Sequence, residues 1–89
     1  MQIRYTHRAE NDYNDIFEYI AKDNLEIAVK FTELIKKAVN NLSFFPNLGK
    51  KGTTQNDKYI IHKNYKITYE IKNDIIYIKH IKHGAQDQS

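Results

Sequence analysis

The stretch Tyr65-Lys66-Ile67-Thr68-Tyr69-Glu70-Ile71-Lys72-Asn73-Asp74-Ile75-Ile76-Tyr77-Ile78 sets the architecture of this chain. Tyr65, Ile67, Tyr69 and Ile71 alternate with Lys66, Thr68, Glu70 and Lys72, the period of a strand with one buried face. Asn73-Asp74 is a two-residue hairpin turn, with Ile75 standing where glycine would define the turn type. A second strand then runs from about Ile75 to His83. With a two-residue loop, Lys72 opposes Ile75, Tyr69 opposes Ile78 and Lys66 opposes Ile81, which places Lys79 and His83 diagonal to Lys66 on one face. That register gathers three basic groups into a patch, and a slip of one residue would send Lys79 and His83 to the other face.

Working outward, Lys58-Tyr59-Ile60-Ile61-His62-Lys63 is a third strand of the same meander, joined through Asn64. Before it, Asn47-Leu48-Gly49-Lys50-Lys51-Gly52 has glycines and polar residues but no period, and is expected to be a loop closed off from a helical region by Pro46. Two helices precede it. Tyr13, Ile16, Phe17, Ile20 and Ala21 form the apolar stripe of the first, and Ala28, Phe31, Ile35, Ala38 and Leu42 that of the second. Asn24 caps the second helix, and the short break at Asp23-Asn24 makes the pair an antiparallel hairpin. The alternating Gln2-Ile3-Arg4-Tyr5 is a short first strand, and the Thr6 hydroxyl caps the first helix. The order is β-α-α-β-β-β, an α+β fold with the helical hairpin on a small, mainly antiparallel sheet.

A chain of 89 residues and 10.6 kDa buries about 64% of its unfolded surface, enough for one domain spanning residues 1–89 and too little for two. Forty per cent of the residues are hydrophobic and 28% charged, which excludes a disordered tail protein. Without cysteine, disulfide frameworks and thiolate chemistry are excluded, so the hydrophobic core or a partner must hold the domain. No run approaches the length of a membrane span, and Met1-Gln2-Ile3-Arg4-Tyr5 lacks the apolar stretch of a secretory signal. A cytoplasmic location, with no membrane partner, is the expectation.

Net charge is +3, unevenly spread: residues 1–46 hold six Lys/Arg against seven Asp/Glu, whereas residues 47–89 hold eight Lys against four Asp/Glu. His80 and His83, three apart on a strand, point to opposite faces, so a shared metal ion is not expected. Gly49-Lys50-Lys51-Gly52 lacks the length and the following Ser/Thr of a nucleotide-binding loop. Neither a metal nor another cofactor is expected. Tyr13, Tyr65 and Tyr69 sit on apolar stripes and belong to the core; Tyr59 and Tyr77 are left open between core and base-stacking roles.

The whole chain resembles the RelE/ParE family of bacterial toxins from type II toxin-antitoxin systems. Tyr5-Thr6, Ala9, Asp12, Ile16, Tyr19-Ile20 and Ala28 are similar to the first part of the family pattern, and Leu42, Pro46 and Gly49 to the residues that end its helical hairpin. Tyr65 to Ile71 resembles the family's Tyr-Arg-Ile/Val-x-Tyr-x-Ile/Val strand. Ile78-Lys79-His80-Ile81-Lys82-His83-Gly84-Ala85-Gln86-Asp87 is similar to the tail of the ParE branch, commonly Val-Leu-His-Gly-Ala-Arg-Asp.

The resemblance implies a toxin neutralised by a cognate antitoxin, with two possible chemistries. ParE-like members poison DNA gyrase, and the His83-Gly84-Ala85 tail together with the missing arginines points to that branch. RelE-like members are ribosome-dependent endoribonucleases that cut messenger RNA, and in that alternative Lys66 and His83 bear the chemistry. Cleavage through the 2′-hydroxyl needs a base, positive charge at the phosphate and an acid for the leaving oxygen. Lys66 stands where RelE-like strands carry a functional arginine, and lysine lacks the planar fork that grips phosphate. Lys50, Lys51, Lys58 and Lys63 either track a nucleic-acid backbone or are solvated edge residues that deter pairing. Lys50, Lys51, Lys58, Lys79 and Gln86 are the candidate target contacts, Gln86 replacing an arginine of ParE-like tails. A third alternative is a degenerate, non-toxic module that only binds antitoxin.

Overall fold

The computed structural model describes residues 1–84, so Gln86 lies outside the described residues. The chain runs β1 (Gln2–Tyr5), α1 (His7–Ala21), α2 (Leu25–Asn41), β2 (Lys50–Lys51), β3 (Asp57–His62), β4 (Tyr65–Lys72) and β5 (Ile75–His83). The five strands form one sheet in the order β1-β5-β4-β3-β2, antiparallel except for the parallel pairing of β1 with β5. This is the α+β arrangement expected from the sequence, with β2 as an addition inside the segment read as a loop. Two lysines leave no apolar alternation to announce it.

Each helix starts at a side-chain cap. Thr6 Oγ1 accepts the Ala9 amide at 3.1 Å and Asn24 Oδ1 accepts the Ile27 amide at 3.0 Å, satisfying donors that the first turns leave unpaired. The buried stripe of α2 is Ala28, Thr32, Ile35 and Val39, with Leu42 following, whereas Phe31 and Ala38 flank it half-buried. Thr32 tolerates burial because its hydroxyl donates to the Ala28 carbonyl at 2.9 Å. Ala9 and Ile16 of α1 meet Ile35, Val39 and Leu42 of the second helical segment over Ile67, Tyr69, Ile76, Ile78 and Ile81 of the sheet. Each buried isoleucine contributes about 1.5–3 kcal/mol.

The β3–β4 and β4–β5 turns are tight. Lys63 and Asn64 have φ of 51° and 69°, and Asn73 and Asp74 have φ of 53° and 63°, the paired left-handed conformation whose twist suits adjoining strands. Asn and Asp accept that conformation more readily than Lys63 does.

A bulge changes the register. Lys72 opposes Ile75 and Tyr69 opposes Ile78, as expected, but Thr68 then opposes His80, Ile67 opposes Ile81, Lys66 opposes Lys82 and Tyr65 opposes His83. One extra residue of β5 is accommodated between Ile78 and His80. The expected pairing of Lys66 with Ile81 is therefore corrected to Lys66 with Lys82. The bulge keeps Ile81 on the core face, 3% exposed; in an unbulged ladder it would point to the opposite side.

Candidate functional site on the open face of the sheet

The helices cover one face of the sheet, and alternation from the core residues of β4 and β5 assigns Lys66, Thr68, Glu70, Tyr77, His80 and Lys82 to the other. Lys66 and Lys82 are direct cross-strand neighbours there, and Lys66 Nζ lies 4.7 Å from the centre of the Tyr59 ring. His80, opposite Thr68, has a buried Nδ1 with no hydrogen-bond partner among the described residues. Burial, then the charges of Arg8 and Lys82, hold its imidazole below the usual histidine range, with Asp12 opposing and Lys79 adding to the effect. The result is a neutral imidazole beside cations, a surface suited to phosphate or carboxylate groups.

Lys79 is committed elsewhere. Its ammonium donates to Asp57 Oδ1 at 2.8 Å and reaches Glu70 Oε1 at 3.4 Å, so one cation joins strands β3, β4 and β5. His83 falls on the helix-covered side, opposite Tyr65, their rings 5.2 Å apart and edge-on; Phe31 meets Tyr65 at 5.5 Å. The expected patch of Lys66, Lys79 and His83 is thus not formed: the bulge puts Lys66 and His83 on opposite faces and acids hold Lys79. Lys50, paired with Tyr59, shares the open side with Lys66, whereas Lys51 and Lys58 pair with each other on the helix side.

Sequence reasoning missed Lys82 and His80, although a signal was present: the buried isoleucines 76, 78 and 81 change parity after Ile78. It also missed what Asp12 does. Beyond Tyr5 the edge of β5 has no partner strand among the described residues; Thr6 Oγ1 donates to the Lys79 carbonyl at 3.3 Å, and Asp12 Oδ2 accepts the Ile81 amide at 3.0 Å. Helix α1 thereby completes the edge that β1 leaves.

Below His83 an open groove of about 830 Å³ runs between α1, the start of α2 and the ends of β4 and β5, lined among others by Asp15, Ile16, Tyr19, Phe31, Tyr65 and His83. Tyr19 is 72% exposed at its rim. Among the described residues no three His, Asp or Glu side chains converge to hold a metal ion, and no helix is long and apolar enough to cross a membrane.

Residues 3–88 match the family described as the ParE toxin of the type II toxin-antitoxin system, parDE. The chain belongs to the ParE toxin family. Solved toxin-antitoxin structures share the fold, among them the following two. The chromosomal ParDE toxin-antitoxin system from P. aeruginosa superposes with a TM-score of 0.83 at 19% identity, covering 93% of this chain and 95% of that one. The RelBE2 toxin-antitoxin complex from Mycobacterium tuberculosis superposes with a TM-score of 0.61 at 21% identity, covering 92% and 95%. No curated protein matches this ParE-family chain by sequence.

Proposed function

We propose that this toxin arrests growth by binding and poisoning DNA gyrase in the cytoplasm, and that a cognate antitoxin neutralises it. The observation that carries the reading is the bulge: Lys66 and His83, the two groups to which the resemblance assigns the nuclease chemistry, stand on opposite faces of the sheet. A protein-binding toxin needs no such convergence, only a surface. Lys50, Lys51, Lys58 and Gln86 are the proposed target contacts, while Lys79 is given a structural role. Supercoiling and cleavage-complex assays with purified toxin test this, and gyrase left untouched at large excess would refute it.

The groove lined by Ile16, Tyr19, Phe31 and Tyr65 suits the apolar face of an amphipathic antitoxin helix that folds as it binds. Copurification with the product of the adjoining reading frame is the expected result.

One observation favours a second reading, a ribosome-dependent messenger RNA endoribonuclease. His80, neutral and beside Lys82, stands on the same face as Lys66, supplying a base and cations without His83. Primer extension on ribosome-bound messages separates the two readings: cuts lost in His80→Ala would establish the nuclease. A chain that only binds antitoxin would instead be harmless on overexpression.

A further inference from the structure

Two adjacent phenylalanines stand outside the fold. Phe44 is 79% exposed, the most exposed large apolar side chain among the described residues, and Phe45 and Leu48 are each 59% exposed. None of the three is part of the buried core. Three such side chains within the five residues 44–48 mark an interaction site, because water is a poor solvent for a cluster of this kind.

The segment that carries them is nonetheless fixed. Leu42, just before it, is fully buried. The Phe44 and Phe45 amides donate to the Asn41 carbonyl at 3.1 and 3.2 Å, and the Leu48 amide donates to the Phe45 carbonyl at 3.1 Å. Beyond Phe45, the Tyr69 hydroxyl donates to the Pro46 carbonyl and accepts the Gly49 amide. Apolar side chains on a backbone held at both ends lose little freedom on docking, the condition for strong anchors.

Charge narrows the occupant. Residues 34–56 contain four lysines, at 36, 37, 50 and 51, and no acid. Lys37 lies in the penultimate turn of α2 and Lys50 and Lys51 form β2, so cations precede and follow the apolar segment. A second copy of this chain is a poor occupant, since a twofold axis would set lysines against lysines. Leu48 has no ring to stack on a base, and a lipid surface gains nothing from the Tyr69 clamp. The groove proposed for the antitoxin lies elsewhere, with Phe31 on its wall roughly 20 Å along the α2 axis from Phe44.

We infer that Phe44, Phe45 and Leu48 anchor the toxin on its target, entering an apolar pocket of a protein surface whose rim is acidic and meets Lys37, Lys50 and Lys51. Buried aromatic side chains carry the binding and the surrounding cations steer the approach. In the cell that surface belongs to gyrase, an assignment that rests on the target reading proposed for this chain.

The test compares the unaltered chain with Phe44→Ser, Phe45→Ser in supercoiling assays with purified gyrase. Both side chains lie outside the core, so thermal melting and copurification with the antitoxin are expected to be unchanged. The concentration giving half-inhibition is expected to rise about tenfold or more. Phe44→Leu with Phe45→Leu keeps apolar anchors and is expected to retain most of the inhibition. Should the serine variant fail to fold, Leu48→Ser and Lys37→Glu are read in its place, each expected to weaken inhibition. Inhibition by the serine variant equal to that of the unaltered chain overturns the inference and leaves the gyrase reading standing. So does a variant that inhibits normally but no longer copurifies with antitoxin, or no longer binds gyrase-free DNA or phosphatidylglycerol vesicles. Gyrase untouched by the unaltered chain overturns both.

Discussion

Lys79 donates to Asp57 at 2.8 Å across the width of β4, with Glu70 beneath the span. Burial alone would push the Asp57 carboxyl up, but hydrogen bonds from Lys79 and Thr54 and the charges of Lys79 and His80 hold it below the usual carboxylate range. The hydrogen bond to Asp57, against burial, raises Lys79, with the Asp57 charge and Glu70 adding to the rise. The Asp57 contribution to stability is fully present above its unfolded value of about 3.9 and is lost as pH falls through the lower folded value. That of Lys79 is fully present below about 10.4 and is lost as pH rises through the higher folded value. Urea midpoints across pH should fall at both ends, and Asp57→Asn should flatten the acid limb.

Removing Lys79 leaves Asp57 buried with Thr54 as its remaining hydrogen-bond donor, and removing the Asp57 charge leaves Lys79 with Glu70 alone. Lys79→Met is expected to cost about 1–3 kcal/mol, and Lys79→Met with Asp57→Asn less than the sum of the single changes. A double-mutant cycle by urea unfolding checks this; strictly additive losses would mean the pair is not coupled.

The Tyr69 hydroxyl holds Pro46 and Gly49 together. Tyr69→Phe is expected to destabilise by about 1–3 kcal/mol, since the Gly49 amide and the Pro46 carbonyl lose their shared partner. Gly49→Ala should be at least as costly, because a Cβ there would lie 2.5 Å from the Tyr69 hydroxyl oxygen and 2.9 Å from the Tyr59 carbonyl oxygen. Thermal melts of the two variants provide the check, and wild-type stability in both would remove the clamp from the explanation of the fold.

Asp12→Ala takes away the acceptor of the Ile81 amide and is expected to cost about 1–3 kcal/mol. Asp12→Asn, which keeps an oxygen in place, should cost less. Amide exchange at Ile81 should rise in the alanine variant before exchange at core amides such as Ile67 does; simultaneous loss everywhere would contradict a local role.

Much of this was written in the residues. The alternation of Tyr65 to Ile71 and the Asn73-Asp74 turn specify the hairpin, and Thr6 and Asn24 specify both helix starts, because each is a local signal with a local cause. The site was less legible. A period-two reading carries no mark for an extra residue, so the shift from Lys66 opposite Ile81 to Lys66 opposite Lys82 emerges only once Ile81 must stay in the core. Tyr69 and Asp12 act through partners 20 or more positions away in sequence, and spacing along the chain does not reveal which carbonyl or amide awaits them. Strand β2 is too short for any periodicity to show.

Gyrase poisoning is read most directly by pulse labelling after tightly controlled induction in a bacterium lacking the antitoxin, following thymidine and methionine incorporation side by side over the first minutes. Early arrest of thymidine incorporation with methionine incorporation intact is the expected result; early arrest of methionine incorporation with DNA synthesis continuing would contradict it and make His80 and Lys66 the first residues to mutate.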